Sequence, residues 1–257
     1  MASNTVYIIT GANRGIGLGL TASLLLRPNV TVIATVRSAS TGTSDLKNLP
    51  LAEGSGLIIA LLDVSTTSSE EITKSANTLY ETLKDEHRIE HVDILIANAG
   101  VGFSFNDVME TSLDSILAHV HANTLGPIAL YQALRPLLLS AVEKGRSAKF
   151  LLISSSLGAI GQMEGNAPSL AYGLSKAAAN YLVRKVHFEE KGITTLAIHP
   201  GWVQTDNGQK FADSVGVAQP PMTTDDSVKG ILAQIDLATK TTTSGTFVTW
   251  DGKPMAW

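Results

Sequence analysis

Hydrophobic residues in this chain form short continuous runs that alternate with stretches of helical periodicity. Seven apolar runs rich in β-branched residues predict buried strands, at residues 6–10, 30–35, 57–62, 92–97, 150–154, 194–199 and 246–250. Leu20 and Leu24 recur at helical spacing after the first run, and Leu79 and Leu83 do so after the third. The pattern therefore predicts strands and helices that alternate along the chain.

Strands that are apolar at every position are typical of a parallel sheet with both faces covered by helices. We predict one α/β domain over residues 1–257, a single doubly wound parallel sheet of the Rossmann fold. Its 257 residues, 44% of them hydrophobic, suffice for one such core, and no linker or repeat divides them. Residues 161–170 and 207–224 follow strand ends and are rich in Gly, Pro, Ser and Asn, so we expect them to cover a substrate.

Composition narrows the classes of partner. The formal net charge is −4, so neither nucleic acid nor an anionic membrane is expected as a partner. The chain has no cysteine, which excludes disulfides and thiolate catalysis and fits a reducing compartment. Residues 1–4 lack the features of a secretory signal, and no uninterrupted apolar run reaches the ~20 residues that cross a bilayer. We therefore expect a cytoplasmic protein.

The first predicted strand ends in a glycine-rich turn that precedes a helix. Glycines allow a tight turn and a close backbone approach to a pyrophosphate, and the helix start offers free N–H groups. The spacing differs from the common Gly-x-Gly-x-x-Gly fingerprint, so the motif alone fits a turn without a ligand equally well. Its place after the first strand favours a dinucleotide. The expected contacts are Gly11, Asn13, Arg14, Gly15, Ile16 and Gly17.

The end of the second predicted strand indicates which dinucleotide binds. A carboxylate there would bind the ribose 2′-hydroxyl of NAD, but the strand ends in Val36 and Arg37. The planar guanidinium of Arg37 suits a 2′-phosphate, and Arg14 can supply a second cation. Two solvated arginines are the alternative, yet the missing acid favours NADP(H) over NAD. Asp63, next to Val64, is either an acceptor for the adenine amino group or a turn-capping residue.

Tyr172 and Lys176 lie four residues apart and share one face of a predicted helix. The ordinary pKa of tyrosine is ~10, and a neighbouring ammonium favours the phenolate and lowers that pKa. Tyr172 can then donate a proton to a carbonyl oxygen and take it back in reverse. Such a pair is common by chance. However, the fifth predicted strand delivers Ser154, Ser155 and Ser156 to the same sheet edge, where one hydroxyl can position a carbonyl.

Together these motifs resemble the short-chain dehydrogenase/reductase family over nearly the whole chain. The glycine turn matches that family's cofactor motif. Residues 97–100 match its Asn-Asn-Ala-Gly motif, with Ala97 in place of the first Asn. The resemblance implies that Asn98 stabilises the central sheet and that Ala99 and Gly100 line the cofactor.

The resemblance also implies the active-site residues. It selects Ser155 as the catalytic serine beside Tyr172 and Lys176, and it implies that Lys176 also holds the nicotinamide ribose. It makes Asn123 a fourth member, which binds a water that links Lys176 to solvent. The segment after the sixth strand resembles the family's Pro-Gly segment beside the nicotinamide. Contacts are expected there at Pro200, Gly201, Val203 and Thr205.

One spacing departs from the family pattern. Ser155 and Tyr172 are seventeen residues apart, a few more than is usual, and the extra residues fall in 161–170. The end of the chain, from Ser244 to Trp257, resembles sniffer-type carbonyl reductases and fungal norsolorinic-acid-ketoreductase-like proteins, whose substrates include aromatic and polyketide ketones. The side chains that could line an apolar pocket for such a substrate are Phe103, Phe105, Met163 and Trp202, with ordinary core packing as the favoured alternative for each one.

We therefore predict an NADPH-dependent carbonyl reductase that acts on a small-molecule ketone or aldehyde. An NAD-dependent alcohol dehydrogenase and a non-catalytic cofactor-binding regulator of the same fold are the alternatives. The family includes dimers, tetramers and monomers, so a homodimer or homotetramer is compatible with the sequence. No metal site is predicted, because His119 and His121 lack the i, i+4 spacing of a helical metal pair. His199, before Pro200 at a strand end, is interpreted as structural.

Overall fold

The computed structural model describes residues 4–257; residues 1–3, which the signal-peptide expectation included, lie outside the described residues. The strands are β1 (Thr5–Ile9), β2 (Val30–Val36), β3 (Gly56–Leu61), β4 (Ile94–Ala97), β5 (Ala148–Ile153), β6 (Ile193–His199) and β7 (Thr246–Thr249). All pair in parallel, in the order β3-β2-β1-β4-β5-β6-β7. The predicted doubly wound sheet is confirmed, and strand ends differ from the predicted ones by one or two residues.

Helices cover both faces of the sheet. They are α1 (Gly15–Leu25), α2 (Ser44–Lys47), α3 (Ser69–Asp85), α4 (Leu113–Val120), α5 (Gly126–Glu143), α6 (Leu170–Glu189), α7 (Asp206–Ser214) and α8 (Thr224–Leu237). A π-helical turn, His121–Leu125, joins α4 to α5, and 3₁₀ turns lie at Ser156–Gly158 and Ile160–Gln162.

The alternation of side chains along β1 explains the two cores. Val6 and Ile8 point to one face, where they join a cluster with buried residues of α3, α5 and α6. Tyr7 and Ile9 point to the other face and pack with residues of α1 and α8. Because β1 lies inside the sheet and buries both faces, every position after its first residue is apolar and buried.

The continuous helix Leu113–Glu143 is long and apolar enough to cross a membrane by length and composition alone. Half of its apolar window is buried inside the protein. Leu130, Leu134 and Leu138 belong to the core cluster that also contains residues of α3 and α6. The apolar composition of this helix is therefore explained by its place in the core.

The chain reverses direction across the sheet between β1 and β4. β2 and β3 lie on one side of β1, and β4 to β7 lie on the other. In open α/β sheets the crevice for ligands lies at this point, outside the carboxyl ends of the strands. The fold therefore places the segments after β1, β4, β5 and β6 around one crevice.

Candidate active site

One cleft of about 1310 Å³ opens at the carboxyl ends of the strands. It brings together nearly all the residues that the sequence predicted for cofactor and catalysis. Those lining it are Gly11, Asn13, Arg14, Gly15, Ile16, Arg37, Asp63, Val64, Asn98, Ala99, Gly100, Ser155, Tyr172, Lys176, Pro200, Gly201, Val203 and Thr205. Two predicted residues do not line the cleft, Gly17 and Asn123.

The glycine turn leaves room for a phosphate group. Gly11 and Gly15 have positive φ angles of 64° and 53°, which side-chain-bearing residues rarely adopt. A Cβ atom on Gly11 would lie 3.1 Å from the Cα atom of Ala99. The turn therefore presents bare backbone at the N-terminus of α1, where N–H groups are free to bind an anion. This cradle fits the pyrophosphate of a dinucleotide.

Gly17 has a different reason to be glycine. A Cβ atom there would overlap the carbonyl oxygen of Gly11 and lie 2.7 Å from Nδ2 of Asn98. Gly17 thus allows α1 to pack closely under the turn, and its side of the helix is buried away from the cleft. Its place in the structure gives it a packing role and no direct contact with a ligand in the cleft.

Asn98 joins the ends of two strands. Its Nδ2 donates to the carbonyl oxygen of Thr10 at 2.8 Å, after β1. In return Thr10 Oγ1 accepts the backbone N–H groups of Asn98 and Ala99, at 3.0 and 2.8 Å. These bonds tie β1 to β4 at the bottom of the cleft and hold the glycine turn beside the Ala99 backbone.

The adenosine end of the cleft carries a cation without a carboxylate beside it. Arg37 is exposed, lines the cleft and makes no hydrogen bond or ion pair with residues 4–257. Ser38 and Thr41 close a turn next to it, in which Ser38 N–H donates to Thr41 Oγ1 at 3.2 Å. Ser38, Ser40 and Thr41 also line the cleft. These hydroxyls were missed in the sequence, because the turn that brings them to Arg37 is not visible in their spacing.

The structure shows Asp63 in the turn-capping role, and the adenine contact stays a prediction. Its Oδ1 accepts the backbone N–H of Ser65 at 2.8 Å and the Ser65 hydroxyl at 2.6 Å, which closes a turn. The residue also lines the cleft together with Val64. Turn closure through Oδ1 leaves Oδ2 available as an acceptor at the cleft wall.

Arg14 does not stand free beside Arg37. Its guanidinium forms an ion pair with Asp206 in the first turn of α7, and both side chains are more than half exposed. Thr205 begins this helix by accepting the N–H of Gly208 at its hydroxyl, at 3.2 Å. The sequence predicted a loop over 207–224, but α7 occupies its first part. The ion pair connects α7 to the glycine turn across the mouth of the cleft.

Ser155 and Tyr172 meet at the centre of the cleft. Ser155 follows β5 and is buried, and its hydroxyl bonds to that of Tyr172 on α6. Burial raises the pKa of Tyr172 to about 12, and the hydrogen bond with Ser155 opposes this change. The sequence predicted a lowered pKa, and the structure reverses that direction because desolvation of the phenolate outweighs the hydrogen bond.

Lys176 lies one helical turn after Tyr172, with its Nζ 5.7 Å from the centroid of the tyrosine ring. The ammonium donates to the carbonyl oxygen of Ile153 at 2.8 Å. Burial lowers the pKa of Lys176 to about 8, so the amine is mostly charged at neutral pH. The structure therefore presents a cation and a protonated phenol on the same helix face.

Asn123 lies behind these residues, in the π-helical turn. Its Oδ1 accepts the N–H of Val101 at 2.8 Å, and its Nδ2 donates to the carbonyl oxygen of Val101 and to the Ser175 hydroxyl, at 2.9 and 3.0 Å. Both amide hydrogens are therefore used inside the protein. The side chain fastens α6 to the backbone beside Gly100, so a water held by Asn123 would use another atom of the residue.

An aromatic wall, formed by Phe105, Phe211 and Trp202, extends outward from Tyr172. Phe105 lies 5.6 Å from Tyr172 and 5.1 Å from Phe211, and Phe211 lies 5.2 Å from Trp202, between ring centroids. Phe211 was missed in the sequence because its helix was interpreted as a loop. Its signal was Thr205 followed by Asp206, a capping residue and an acid typical of a helix start.

Phe103 and Met163 do not join this wall. Phe103 stacks on His119 at 4.2 Å between ring centroids, and neither side chain lines the cleft. Met163 is 68% exposed, and the adjacent Glu164 lines the cleft instead. The prediction of these two residues as pocket walls was therefore wrong.

The two serines beside Ser155 have separate partners. Ser154 Oγ donates to Oδ1 of Asn180 on α6 at 2.6 Å and is buried. Ser156 donates its backbone N–H to Nδ1 of His199 at 3.0 Å. Geometry thus singles out Ser155 as the hydroxyl that faces Tyr172.

Curated relatives match this chain over nearly its full length. A norsolorinic acid ketoreductase of Aspergillus parasiticus is 44% identical over 256 residues, covering 98% of this chain and 91% of the relative. The norsolorinic acid ketoreductase nor1 of Dothistroma septosporum is 43% identical, with 100% and 94% covered.

Solved structures share the fold. The NADPH-bound carbonyl reductase from chicken fatty liver superposes with a TM-score of 0.85 at 31% identity, and both chains are covered completely. Carbonyl reductase Sniffer of Drosophila melanogaster gives a TM-score of 0.81 at 27% identity, also over both whole chains. These likenesses confirm the resemblance to sniffer-type and norsolorinic-acid-ketoreductase-like proteins that the end of the sequence indicated.

The family model described as short chain dehydrogenase matches residues 5–215, which include the glycine turn, Ser155, Tyr172 and Lys176. The chain therefore belongs to the short-chain dehydrogenase family and is an oxidoreductase.

Proposed function

We propose that this protein is an NADPH-dependent ketoreductase that transfers hydride to a ketone or aldehyde. The observation that carries the proposal is the meeting of Ser155, Tyr172 and Lys176 in one cleft with a glycine cradle and Arg37. The printed names of its relatives and structural neighbours, ketoreductases and carbonyl reductases, support the same direction of reaction.

The side chains divide the chemistry between them. NADPH, when bound, supplies the hydride. The Ser155 and Tyr172 hydroxyls form a pair that binds the carbonyl oxygen and polarises it. Because its pKa is raised to about 12, Tyr172 keeps its proton at neutral pH and donates it to the oxygen as negative charge develops there. The nearby charge of Lys176 then stabilises the phenolate that remains.

The preference for NADPH rests on Arg37. This cation lines the cleft after β2, where an NAD enzyme would carry a carboxylate, and it has no internal partner in residues 4–257. Ser38, Ser40 and Thr41 offer hydroxyl donors beside it. A 2′-phosphate would gain a bidentate guanidinium contact and neutral hydrogen bonds at this place. The NADPH bound in the chicken carbonyl reductase is consistent with this choice.

The aromatic wall supports an aromatic or polyketide-like ketone as substrate. Phe105, Phe211 and Trp202 form a continuous apolar surface next to the catalytic hydroxyls. Flat aromatic substrates bury a large area against such rings and gain stacking energy of about 0.5–1.5 kcal/mol per pair. The names of the two fungal relatives support this substrate class.

We also propose that the protein works in the cytoplasm. The sequence contains no cysteine, which fits a reducing compartment. The partner is a small-molecule carbonyl compound, held inside the cleft. A homodimer or homotetramer is the assembly that the family resemblance allows.

Replacing Tyr172 by Phe tests the catalytic assignment. We expect kcat for ketone reduction to fall by about 10²–10⁴-fold, because the proton donor is lost. NADPH binding, followed by cofactor fluorescence, should stay within about twofold, since the ring remains. Activity retained in this variant would refute the assignment. A cellular effect of the protein that survives the substitution would favour the non-catalytic regulator instead.

Replacing Arg37 by Ala tests the cofactor. We expect the Kd for NADPH to rise about 10- to 100-fold, as for loss of a charged hydrogen bond, while the Kd for NADH changes little. Lys74→Ala is the matched control, because it removes an exposed cation of α3 outside the cleft. Equal losses for both cofactors in Arg37→Ala would refute the NADPH preference and favour an NAD-dependent alcohol dehydrogenase.

A further inference from the structure

The imidazole of His199 lines the cleft at the end of β6, next to the catalytic serine. Its Nδ1 accepts the backbone N–H of Ser156 at 3.0 Å, and Ser156 directly follows Ser155. A neutral imidazole that accepts at Nδ1 carries its hydrogen on Nε2. The backbone of the catalytic segment therefore fixes the tautomer of His199.

The ring is neutral at neutral pH. Burial lowers the pKa of His199 to about 4, although the carboxylates of Glu164 and Asp251 act in the opposite direction. Nε2 is thus a permanent N–H donor and the ring does not switch its charge near pH 7.

Within the described part of the chain, this donor has no hydrogen-bond partner. Within residues 4–257, His199 makes its hydrogen bond through Nδ1 alone. Three buried side-chain atoms of the described residues lack a partner, His91 Nε2, His121 Nδ1 and Tyr131 Oη. His199 Nε2 is not among them, so this unpartnered atom is accessible at the surface of the cleft. Since His199 lines the cleft, its N–H is open to whatever occupies the cleft.

We propose that His199 is a specificity-determining residue that donates a hydrogen bond from Nε2 to a second oxygen of the substrate. The proposal rests on the ketoreductase function and deepens it. Ser155 holds the reacting carbonyl, and the neighbouring Ser156 holds the imidazole. The two donors therefore select a ketone that carries another carbonyl or hydroxyl oxygen a few bonds away. The bond from Ser156 N–H to Nδ1 agrees with the interpretation of His199 as structural, and the proposal adds a second role at Nε2.

The carboxylate of Glu164 is the competing acceptor. It lines the cleft on the segment between β5 and α6, and its charge acts on His199, but the two side chains make no ion pair or hydrogen bond. If Nε2 served only to hold this segment through Glu164, both residues would affect all ketones alike. A contact with the substrate would affect only ketones that offer the second oxygen.

Two substitutions separate the two nitrogen atoms of the ring. In His199→Asn the amide oxygen can replace Nδ1 as acceptor for Ser156 N–H, while the donor at the Nε2 position is lost. In His199→Gln the longer side chain can return an N–H group to that position. Glu164→Gln removes the competing charge. The probes are 1-phenylpropane-1,2-dione and propiophenone, which differ by the second carbonyl.

Steady-state reduction of both probes by the full chain with saturating NADPH is the first measurement. For His199→Asn we expect kcat/KM for the dione to fall about tenfold, equal to about 1.4 kcal/mol, and kcat/KM for propiophenone to change less than about twofold. His199→Gln should recover part of the loss, and Glu164→Gln should leave the ratio of the two substrates unchanged. Equal losses for both ketones, or no loss for the dione, would overturn the proposal.

Equilibrium binding of the same probes, followed by isothermal titration calorimetry with NADP⁺ present, is the second measurement. It does not depend on turnover, so it separates failure of this proposal from failure of the proposed function. The unchanged protein could reduce neither ketone and still bind the dione about tenfold more tightly than His199→Asn does. That result would refute the proposed function and support the contact of His199 with the substrate. Equal binding by both proteins would overturn the contact.

Discussion

Burial favours the uncharged form of both Lys176 and Tyr172, and it therefore shifts their pKa values in opposite directions. Desolvation disfavours the ammonium and lowers the pKa of Lys176 to about 8, and it disfavours the phenolate and raises the pKa of Tyr172 to about 12. At neutral pH the phenol therefore holds its proton while the amine is still charged. Above pH ~8 the amine loses its charge first, with the phenol still protonated.

This order of titration predicts the pH dependence of ketone reduction. Below pH ~8 Lys176 is cationic and supports the phenolate that forms on Tyr172, so kcat/KM should be constant from pH 6 to about 7.5. Above pH ~8 the cation is lost and kcat/KM should fall about tenfold per unit. The measurement is kcat/KM for one ketone from pH 6 to 10, with the Kd for NADPH determined in parallel.

Lys176→Arg is the control, because a guanidinium keeps its charge throughout this range. The variant should be less active, since its larger head does not fit the place of the ammonium near Ile153, but its profile should be flat above pH 8. An inflection near pH 8 that persists in the arginine variant would assign the titration to another group.

The sequence could predict the types of these residues but not their charge state. The spacing of Tyr172 and Lys176 requires only a helix to place them on one face. The direction of the Tyr172 pKa depends on burial of the phenol beneath segments that are distant in sequence. That packing is not visible in the neighbouring residues. The argument from Lys176 alone therefore predicted the wrong direction for the pKa of Tyr172.

At the scale of elements, α7 links the cofactor cleft to the substrate wall. Asp206 in its first turn pairs with Arg14 of the glycine turn, and Phe211, five residues later, contacts Phe105 and Trp202. An Arg14 guanidinium that pairs with Asp206 has fewer N–H donors left for a 2′-phosphate. Asp206 therefore competes with the 2′-phosphate for Arg14, which is one of the two cations expected to bind NADPH.

Asp206→Asn tests this competition. Exposed ion pairs contribute about 0.2–1 kcal/mol, so freeing Arg14 should lower the Kd for NADPH by about two- to fivefold and leave the Kd for NADH unchanged. The difference should shrink at high salt, because both interactions are exposed. Asp213→Asn, near the end of the same helix and without an ion pair in the described residues, is the matched control. Weaker NADPH binding in Asp206→Asn would show that the pair holds the cleft closed.

The strands could be predicted because each is an unbroken apolar run, whereas α7 was missed because its composition outweighed the start signal at Thr205 and Asp206. Gly208 and the Asn207 amide lie inside the helix, which residue preferences alone disfavour. The helix is held by contacts outside it, the bond from Trp202 Nε1 to the carbonyl oxygen of Gly208 at 3.0 Å and the packing of Phe211 on the distant Phe105. Packing against distant segments overrides the local preference for a loop in α7. In the same way, burial under distant segments sets the direction of the Tyr172 pKa.

At the scale of the whole molecule, the far edge of the sheet supports the segment over the substrate cleft. After β7 the chain turns back along that strand, with Met255 N–H donating to the carbonyl oxygen of Phe247 at 2.8 Å. It then reaches the segment after β5, where Gly161 N–H donates to the carbonyl oxygen of Trp257 at 2.6 Å. A Cβ on Gly161 would lie 2.9 Å from Cβ of Ala256, so glycine permits this close approach.

The ring of Trp257 anchors this connection, which gives a prediction for the whole chain. It packs 5.7 Å from Phe247 between ring centroids, and the guanidinium of Arg184 lies 5.7 Å from its centroid. Trp257→Ala should lower the free energy of unfolding by about 1–3 kcal/mol, less than for a fully buried aromatic residue. It should also raise KM for the ketone several-fold and leave the Kd for NADPH unchanged, because residues 161–170 lose their support on the substrate side only.

Phe188→Ala is the matched control for this prediction. Phe188 also lies against Arg184, with 4.9 Å from the guanidinium to the ring centroid, but it is 70% exposed on α6 and away from residues 161–170. Its loss should change neither KM nor stability by much. Thermal unfolding and steady-state ketone reduction by the two variants measure whether stability and KM change together in Trp257→Ala. If Trp257→Ala is destabilised but keeps its KM, the edge of the sheet supports the core alone, and the covering segment takes its position from α6.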